Sequence, residues 1–251
     1  MGFMANLKGR RAYSTHIRGN QAIDRGDIAK ATELHKQALK LYSEAYEAGC
    51  RDVNIVMAYG VLLMRFGEYE KARDLLLSCE HKPGLDAKDK KQLRINYSVC
   101  QWRLGNLDRA IELMEEAASN GKTAMIYTTL GYYYIERGIQ TGDFAQAIAF
   151  NQEGYEYDEE DAGVLDNLGQ LYYAMGEMDK AYDYFKRAFE QKPTQVPTLY
   201  FIAKMNHEKG DDEKARGFIK KCLEGNFSAL CSISREQAQA LADEISNESH
   251  T

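Results

Sequence analysis

Gly121-Lys122-Thr123 has the ending of a phosphate-binding loop, in which backbone amides and a lysine cradle phosphate oxygens. That loop also needs a glycine at position 116, where Glu116 stands, and no strand pattern precedes it. The tripeptide therefore reads as a turn. The histidines, His16, His35, His81, His207 and His250, form no HxxxH pair, and none lies in a GxSxG-like nucleophile context. Cys79 and His81 are two apart, a spacing open to a thiolate–imidazole pair, yet no third group accompanies them. Cys50, Cys79, Cys100, Cys222 and Cys231 are odd in number, widely spread and without a CxxC. This is neither a disulfide framework nor a zinc ribbon, and it suits a reducing compartment. No catalytic residue, metal site or cofactor is expected, and the chain is read as a non-catalytic protein.

The elements that would carry any site are helical. The 251 residues include only 3 prolines but 20 glycines, and scarce proline favours long helices because proline breaks helix interiors. Hydrophobic residues make up 44%, too many for a disordered chain. The net charge of −6 disfavours a general nucleic-acid binder, which needs a basic face for phosphates. A local exception is the start, where Lys8, Arg10, Arg11 and Arg18 precede the first acid, Asp24. Its plain reading is a solvated segment; a lipid-facing patch is the alternative. The longest apolar runs are about four residues, far short of the roughly 18 that span a membrane. MGFMANLKGRRAY lacks the apolar core of a secretory signal, and Asn6 breaks the myristoylation pattern. The expected location is cytoplasmic, or membrane-peripheral if an anchor precedes the chain.

Self-comparison exposes a repeat. GDIAKATEL (26–34), GEYEKARDL (67–75), GNLDRAIEL (105–113), GDFAQAIAF (142–150), GEMDKAYDY (176–184) and GDDEKARGF (210–218) align without gaps. Each has Gly first and Ala sixth. The alanines, Ala31, Ala72, Ala110, Ala147, Ala181 and Ala215, are 34 to 41 residues apart. In the clearest copy Leu165, Leu168, Tyr172 and Met175 share a helical face. Gly176 ends that helix, and Tyr182, Phe185 and Phe189 mark a second one that Pro193 stops. Each unit is two antiparallel helices and a turn. Gly169, Ala181 and Ala188 let the axes approach.

This pattern resembles the tetratricopeptide repeat family. Leu165, Leu168, Gly169, Tyr172, Gly176, Ala181, Phe185, Ala188 and Pro193 all stand where its signature requires them. The resemblance implies an all-α, right-handed superhelical solenoid of about six helix-turn-helix repeats, starting near 12, 53, 91, 124, 162 and 196. Residues 1–11 are read as a basic segment, 12–233 as the array and 234–248 as a capping helix. The cap shows Ser234 and Gln237 at capping-box spacing, with Ala238, Leu241 and Ile245 at helical intervals. Asp86 is read as an N-cap. The first repeat departs at Arg18 and His35, and His35 is read as a residue of the water-facing end. The fourth departs through four extra residues between Gly138 and Gly142, and through Asn151 and Gly154 in place of larger or helix-favouring residues. Its second helix is expected to be the weakest, since helical glycine costs about 1 kcal/mol.

Family members bind partners in a groove lined by the first helix of each repeat. The corresponding positions here point to Met57, Val61, Met64, Val99, Trp102, Tyr132, Tyr173, Tyr200 and His207 as partner contacts. His16, Asn20, Ile95, Thr128, Ile135, Asp166, Gln170 and Lys204 complete the lining. The Lys and Asn set that one subtype uses for acidic carboxyl-terminal peptides is matched only at Asn167. The resemblance therefore implies a protein-interaction scaffold or adaptor holding a peptide or helix segment, with no nucleic-acid partner. A subunit of a membrane-associated complex and a self-associating structural protein remain the alternatives.

Overall fold

The computed structural model describes residues 2–80, 85–119 and 121–247. Among these there are only helices, in the order α1 (Gly2–Asp24), α2 (Ile28–Glu47), α3 (Val53–Arg65), α4 (Tyr69–Glu80), α5 (Ala87–Arg103), α6 (Leu107–Ala118), α7 (Ala124–Thr141), α8 (Ala145–Tyr157), α9 (Ala162–Ala174), α10 (Met178–Gln191), α11 (Val196–Glu208), α12 (Asp212–Glu224) and α13 (Arg235–Asn247). The odd-numbered members through α11 are the first helices of the six pairs, and α13 follows as a single helix. The chain divides into two compact units, residues 1–113 and 114–251.

The turns follow from the repeated glycines. Gly176 takes φ +78°, a left-handed conformation that closes α9 at little steric cost. Its counterparts at 26, 67, 105, 142 and 210 share it. In the fourth repeat the four extra residues extend α7 by about one turn, to Thr141, before Gly142. N-caps are local as well: Asp86 accepts from the Asp89 amide. The Ser234 amide donates to Gln237 Oε1 at 2.7 Å, and the Gln237 amide donates to Ser234 Oγ at 3.2 Å. That is the reciprocal capping box.

In four of the pairs a side chain of the second helix sits on a glycine of the first. Phe185 of α10 lies over Gly169 of α9, where a β-carbon would stand 2.6 Å from the ring. Leu76 covers Gly60 and Asn151 covers Gly131 in the same way. Asn151 is buried, and its amide donates to Gly131 O at 3.2 Å and Ala147 O at 2.9 Å. Gly154 leaves room for the ring of Tyr127, 3.3 Å from where its β-carbon would be. The two departures in the fourth repeat thus fill real places in its packing.

Two sequence expectations need correction. Residues 2–11 are not a separate segment, because α1 runs unbroken from Gly2 to Asp24 and buries Ala5, Gly9 and Ala12. His35 does not face water. It is 2% exposed, since Gly19 lets its ring settle directly on α1, and its Nε2 donates to Asn20 Oδ1 at 3.0 Å. Cys79 is buried, while His81, its proposed partner, lies outside the described residues.

Candidate functional site

The first helix of a repeat has two duties. It packs against its own second helix, and within each unit it lies beside the first helix of the next repeat. In the first unit α3 is flanked by α1, α2, α4 and α5. Met57, Met64 and Val99 are consequently buried, at 7%, 5% and 3% exposure. Expected on an open face, they are enclosed by the structure instead. His16, Ile95, Ile135, Asp166 and Gln170 are buried too. Val61 is exposed, and Trp102 is half-buried with the Arg103 guanidinium 4.2 Å from its ring centre.

In the second unit Tyr132, Tyr173 and Tyr200 are half-buried, the His207 side chain is 9% exposed, and α9 and α11 bring Tyr173 and Tyr200 into one network. Phe201 meets Tyr173 and Tyr200 edge-on, at 5.2 and 5.3 Å between ring centres. Tyr173 Oη donates to Glu208 Oε1 at 2.5 Å, and Lys204 Nζ lies 5.2 Å from the Tyr173 ring centre. Burial, with the adjoining Glu208 carboxylate, pushes the Tyr173 hydroxyl upward from its ordinary pKa, so it remains a donor. His207 Nδ1 is 2.6 Å from Asp212 of α12, and Nε2 is 3.8 Å from Glu244 of α13. The result is a pre-set aromatic and charged surface, whose side chains lose little freedom when a partner docks.

Beneath it runs a buried polar chain. Thr198 Oγ1 donates to Asp166 Oδ1 at 2.6 Å, and Gln170 Nε2 donates to Asp166 Oδ2 at 2.6 Å. Gln170 Nε2 also donates to Ser232 Oγ at 3.1 Å. Desolvation outweighs these bonds and raises Asp166 to about 6. Sequence spacing brings Asp166 and Gln170 onto one helix face, but nothing in it points to Ser232. The available signal is length: residues 225–234 separate α12 from α13, whereas 158–161 and 192–195 suffice between earlier pairs. Among the described residues no cluster of three metal-ligating side chains occurs. No helix there is long and apolar enough to cross a membrane.

Paired antiparallel helices, glycine-closed turns and small-residue contacts at a fixed register define a helical-repeat protein. The chain carries tetratricopeptide repeats: models of that family match residues 19–81 and 167–195. Among solved structures, a tetratricopeptide repeat protein from Parabacteroides merdae is similar in fold, with a TM-score of 0.67 at 14% identity, covering 95% of this chain and 100% of that one. A thermophilic TPR protein from Thermus thermophilus gives 0.64 at 18% identity, covering 78% and 100%. Lipopolysaccharide assembly protein B of Escherichia coli K12 is 23% identical over 216 residues, 84% of this chain and 53% of that protein. The BBSome complex member BBS4 of Bos taurus is 24% identical over 152 residues, 57% of this chain and 28% of that protein. The chain thus spans about half the length, or less, of these two relatives.

Proposed function

We propose that the chain is an adaptor that holds a peptide or helical segment of a protein partner on the first-helix faces of its repeats. The observation that carries this reading is the network of Tyr173, Tyr200, Phe201, Lys204 and Glu208. Large aromatic side chains are fixed there by ring contacts and a hydrogen bond while still partly open to solvent. Tyr132 and His207 extend the same reading in the second unit, and Val61 and Trp102 in the first. The test is affinity capture from the source cells with the wild type and with a Tyr173→Ala/Tyr200→Ala variant of unchanged helical content. A specific partner recovered by the wild type falls at least tenfold with the variant. Equal recovery would sink the assignment of this face.

A second reading is favoured by α1: the chain is an assembly subunit working at a membrane surface. Phe3, Met4 and Leu7 are 81%, 63% and 52% exposed, and Lys8, Arg10 and Arg11 follow on the solvent side. Apolar side chains beside a cationic collar suit an anionic lipid surface. The names of two relatives, an assembly protein and a complex member, are in keeping with such a role. Sedimentation with anionic vesicles, lost at high salt and in Arg10→Glu/Arg11→Glu, supports it; no sedimentation rejects it.

A further inference from the structure

We propose that the connection between α12 and α13 is a resident ligand, and that the site it fills beside α9 and α11 takes a peptide bearing a serine or threonine between two apolar residues. This rests on the reading of the first-helix face of the second unit as the binding face, and it specifies the chemistry of what binds there.

The connection is longer than joining two adjacent helices requires, and it takes a detour. Ser232 reaches Gln170 on α9, 62 residues earlier in the chain, although α12 and α13 pack directly on one another. Burial alternates from Cys231 to Ser234, through a bend at Ser232 and Ile233. Cys231 and Ile233 are 7% and 6% exposed and belong to the apolar cluster that Val196, Leu199 and Ala203 of α11 share with Ile219 and Cys222 of α12 and Leu241 of α13. Ser232, between them, turns to Gln170. A turn from Ser228 O to the Cys231 amide, 3.1 Å, precedes the bend. Arg235 clamps the base: its guanidinium donates to Leu223 O at 2.7 Å and Gly225 O at 3.3 Å, and lies 4.4 Å from the Phe227 ring centre.

The receiving side is built for a hydroxyl. Asp166 is 4% exposed, and its two oxygens are engaged by Thr198 and Gln170. Held by that carboxylate, Gln170 presents its remaining amide hydrogen outward, where Ser232 Oγ accepts it. A serine or threonine hydroxyl satisfies this donor, and an apolar side chain leaves it unpaired. Since the resident segment is tethered, its effective concentration is of the order of millimolar. A segment of like chemistry from a partner binds only as this one lifts away.

The probe is a fluorescent peptide of residues 226–234, titrated against the full chain and against a variant whose residues 226–233 are replaced by eight Gly/Ser residues. The variant binds the peptide at least tenfold more tightly than the wild type, and a peptide with Ser232→Ala, or a receptor with Gln170→Ala, loses that gain. Equal binding to both chains, or none to either, overturns the proposal. Should the replacement unfold α13, as circular dichroism would reveal, hydrogen exchange on the intact chain decides. Gln170→Ala then speeds exchange of 226–233 at least tenfold and leaves α11 unchanged; no such local effect overturns the proposal. Loss of partner capture in Tyr173→Ala/Tyr200→Ala together with failure of the peptide titration would leave the binding face standing and remove the resident ligand alone.

Discussion

The contact of His35 with Gly19 in the first unit and that of Phe185 with Gly169 in the second occupy the same place in the repeat. Both knobs are buried, at 2% and 0% exposure, and both would clash with any β-carbon on the facing glycine. Their surroundings differ. Phe185 stacks on Phe201 with 5.1 Å between centres and 8° between planes. His35 bonds to Asn20 and meets His16 edge-on at 5.4 Å, while His16 Nδ1 lies 3.3 Å from Tyr42 Oη. The repeat dictates the shape of this contact, and each unit supplies its own polarity. The largest expected effect tests the shape. Phe185→Ala removes a fully enclosed ring, at a cost of about 3–5 kcal/mol. Urea unfolding followed by circular dichroism should show it, and a loss under about 1 kcal/mol would mean that the contact is not a determinant of the fold.

Polarity makes the two units respond to acid in opposite directions. Burial, with His35 and Arg65 nearby, lowers His16 to about 4; burial and Arg65 also lower His35. A buried histidine with a depressed pKa favours the fold above its unfolded value of about 6.5, and that contribution is lost as pH falls toward 4. Asp166 behaves inversely. Raised to about 6, it favours the fold most below the unfolded value, near 3.9. That contribution disappears as pH rises through 6, when a charge must be kept inside the protein. From pH 7.5 to 5 the first unit should lose about 1–2 kcal/mol. Trp102, the one tryptophan, lies in that unit and reports it by fluorescence during urea unfolding. Over pH 8 to 5 the advantage of Asp166→Asn over the wild type should shrink by about 1–2 kcal/mol. A fluorescence midpoint that does not fall in acid, or an Asp166→Asn advantage independent of pH, would remove the contrast between the units.

What the sequence reveals and what it conceals divides along the range of the interactions. The paired helices, the turn at Gly176, the cap at Asp86 and the Ser234–Gln237 box depend on residues a few positions apart, so their spacing is enough to find them. The knob positions follow from the repeat register, including Phe185 on Gly169. Exposure of the candidate face does not. Met57, Met64 and Val99 have the spacing of accessible residues, but they are buried where α3 lies among α1, α2, α4 and α5, and sequence spacing does not record how closely those helices approach. His35 misleads for a related reason: a polar residue at an end repeat suggests water, whereas Gly19 opposite creates a pocket that a planar ring fills. Ser232 is hidden most thoroughly, because an irregular segment has no period to show where it goes.

The fourth repeat offers the finest test of shape against polarity. Asn151 fills the knob position over Gly131, donating its amide hydrogens to two helix carbonyls while Oδ1 is buried without a hydrogen-bond partner. An unsatisfied buried oxygen is costly, whereas replacing a polar knob with an apolar one of similar shape can be neutral or stabilising. Leu76 shows that leucine fits over the equivalent glycine, Gly60, with its Cδ2 3.0 Å from where a β-carbon would lie. The carbonyls of Gly131 and Ala147 both lie within helices and keep their backbone bonds when the amide is gone. Asn151→Leu should therefore stabilise the protein by about 1 kcal/mol, read as a rise in the urea midpoint at unchanged slope. A fall would mean that polarity at this position is part of the packing: the amide bond to Gly131 O would then hold α8 on α7 more firmly than an apolar side chain of equal reach.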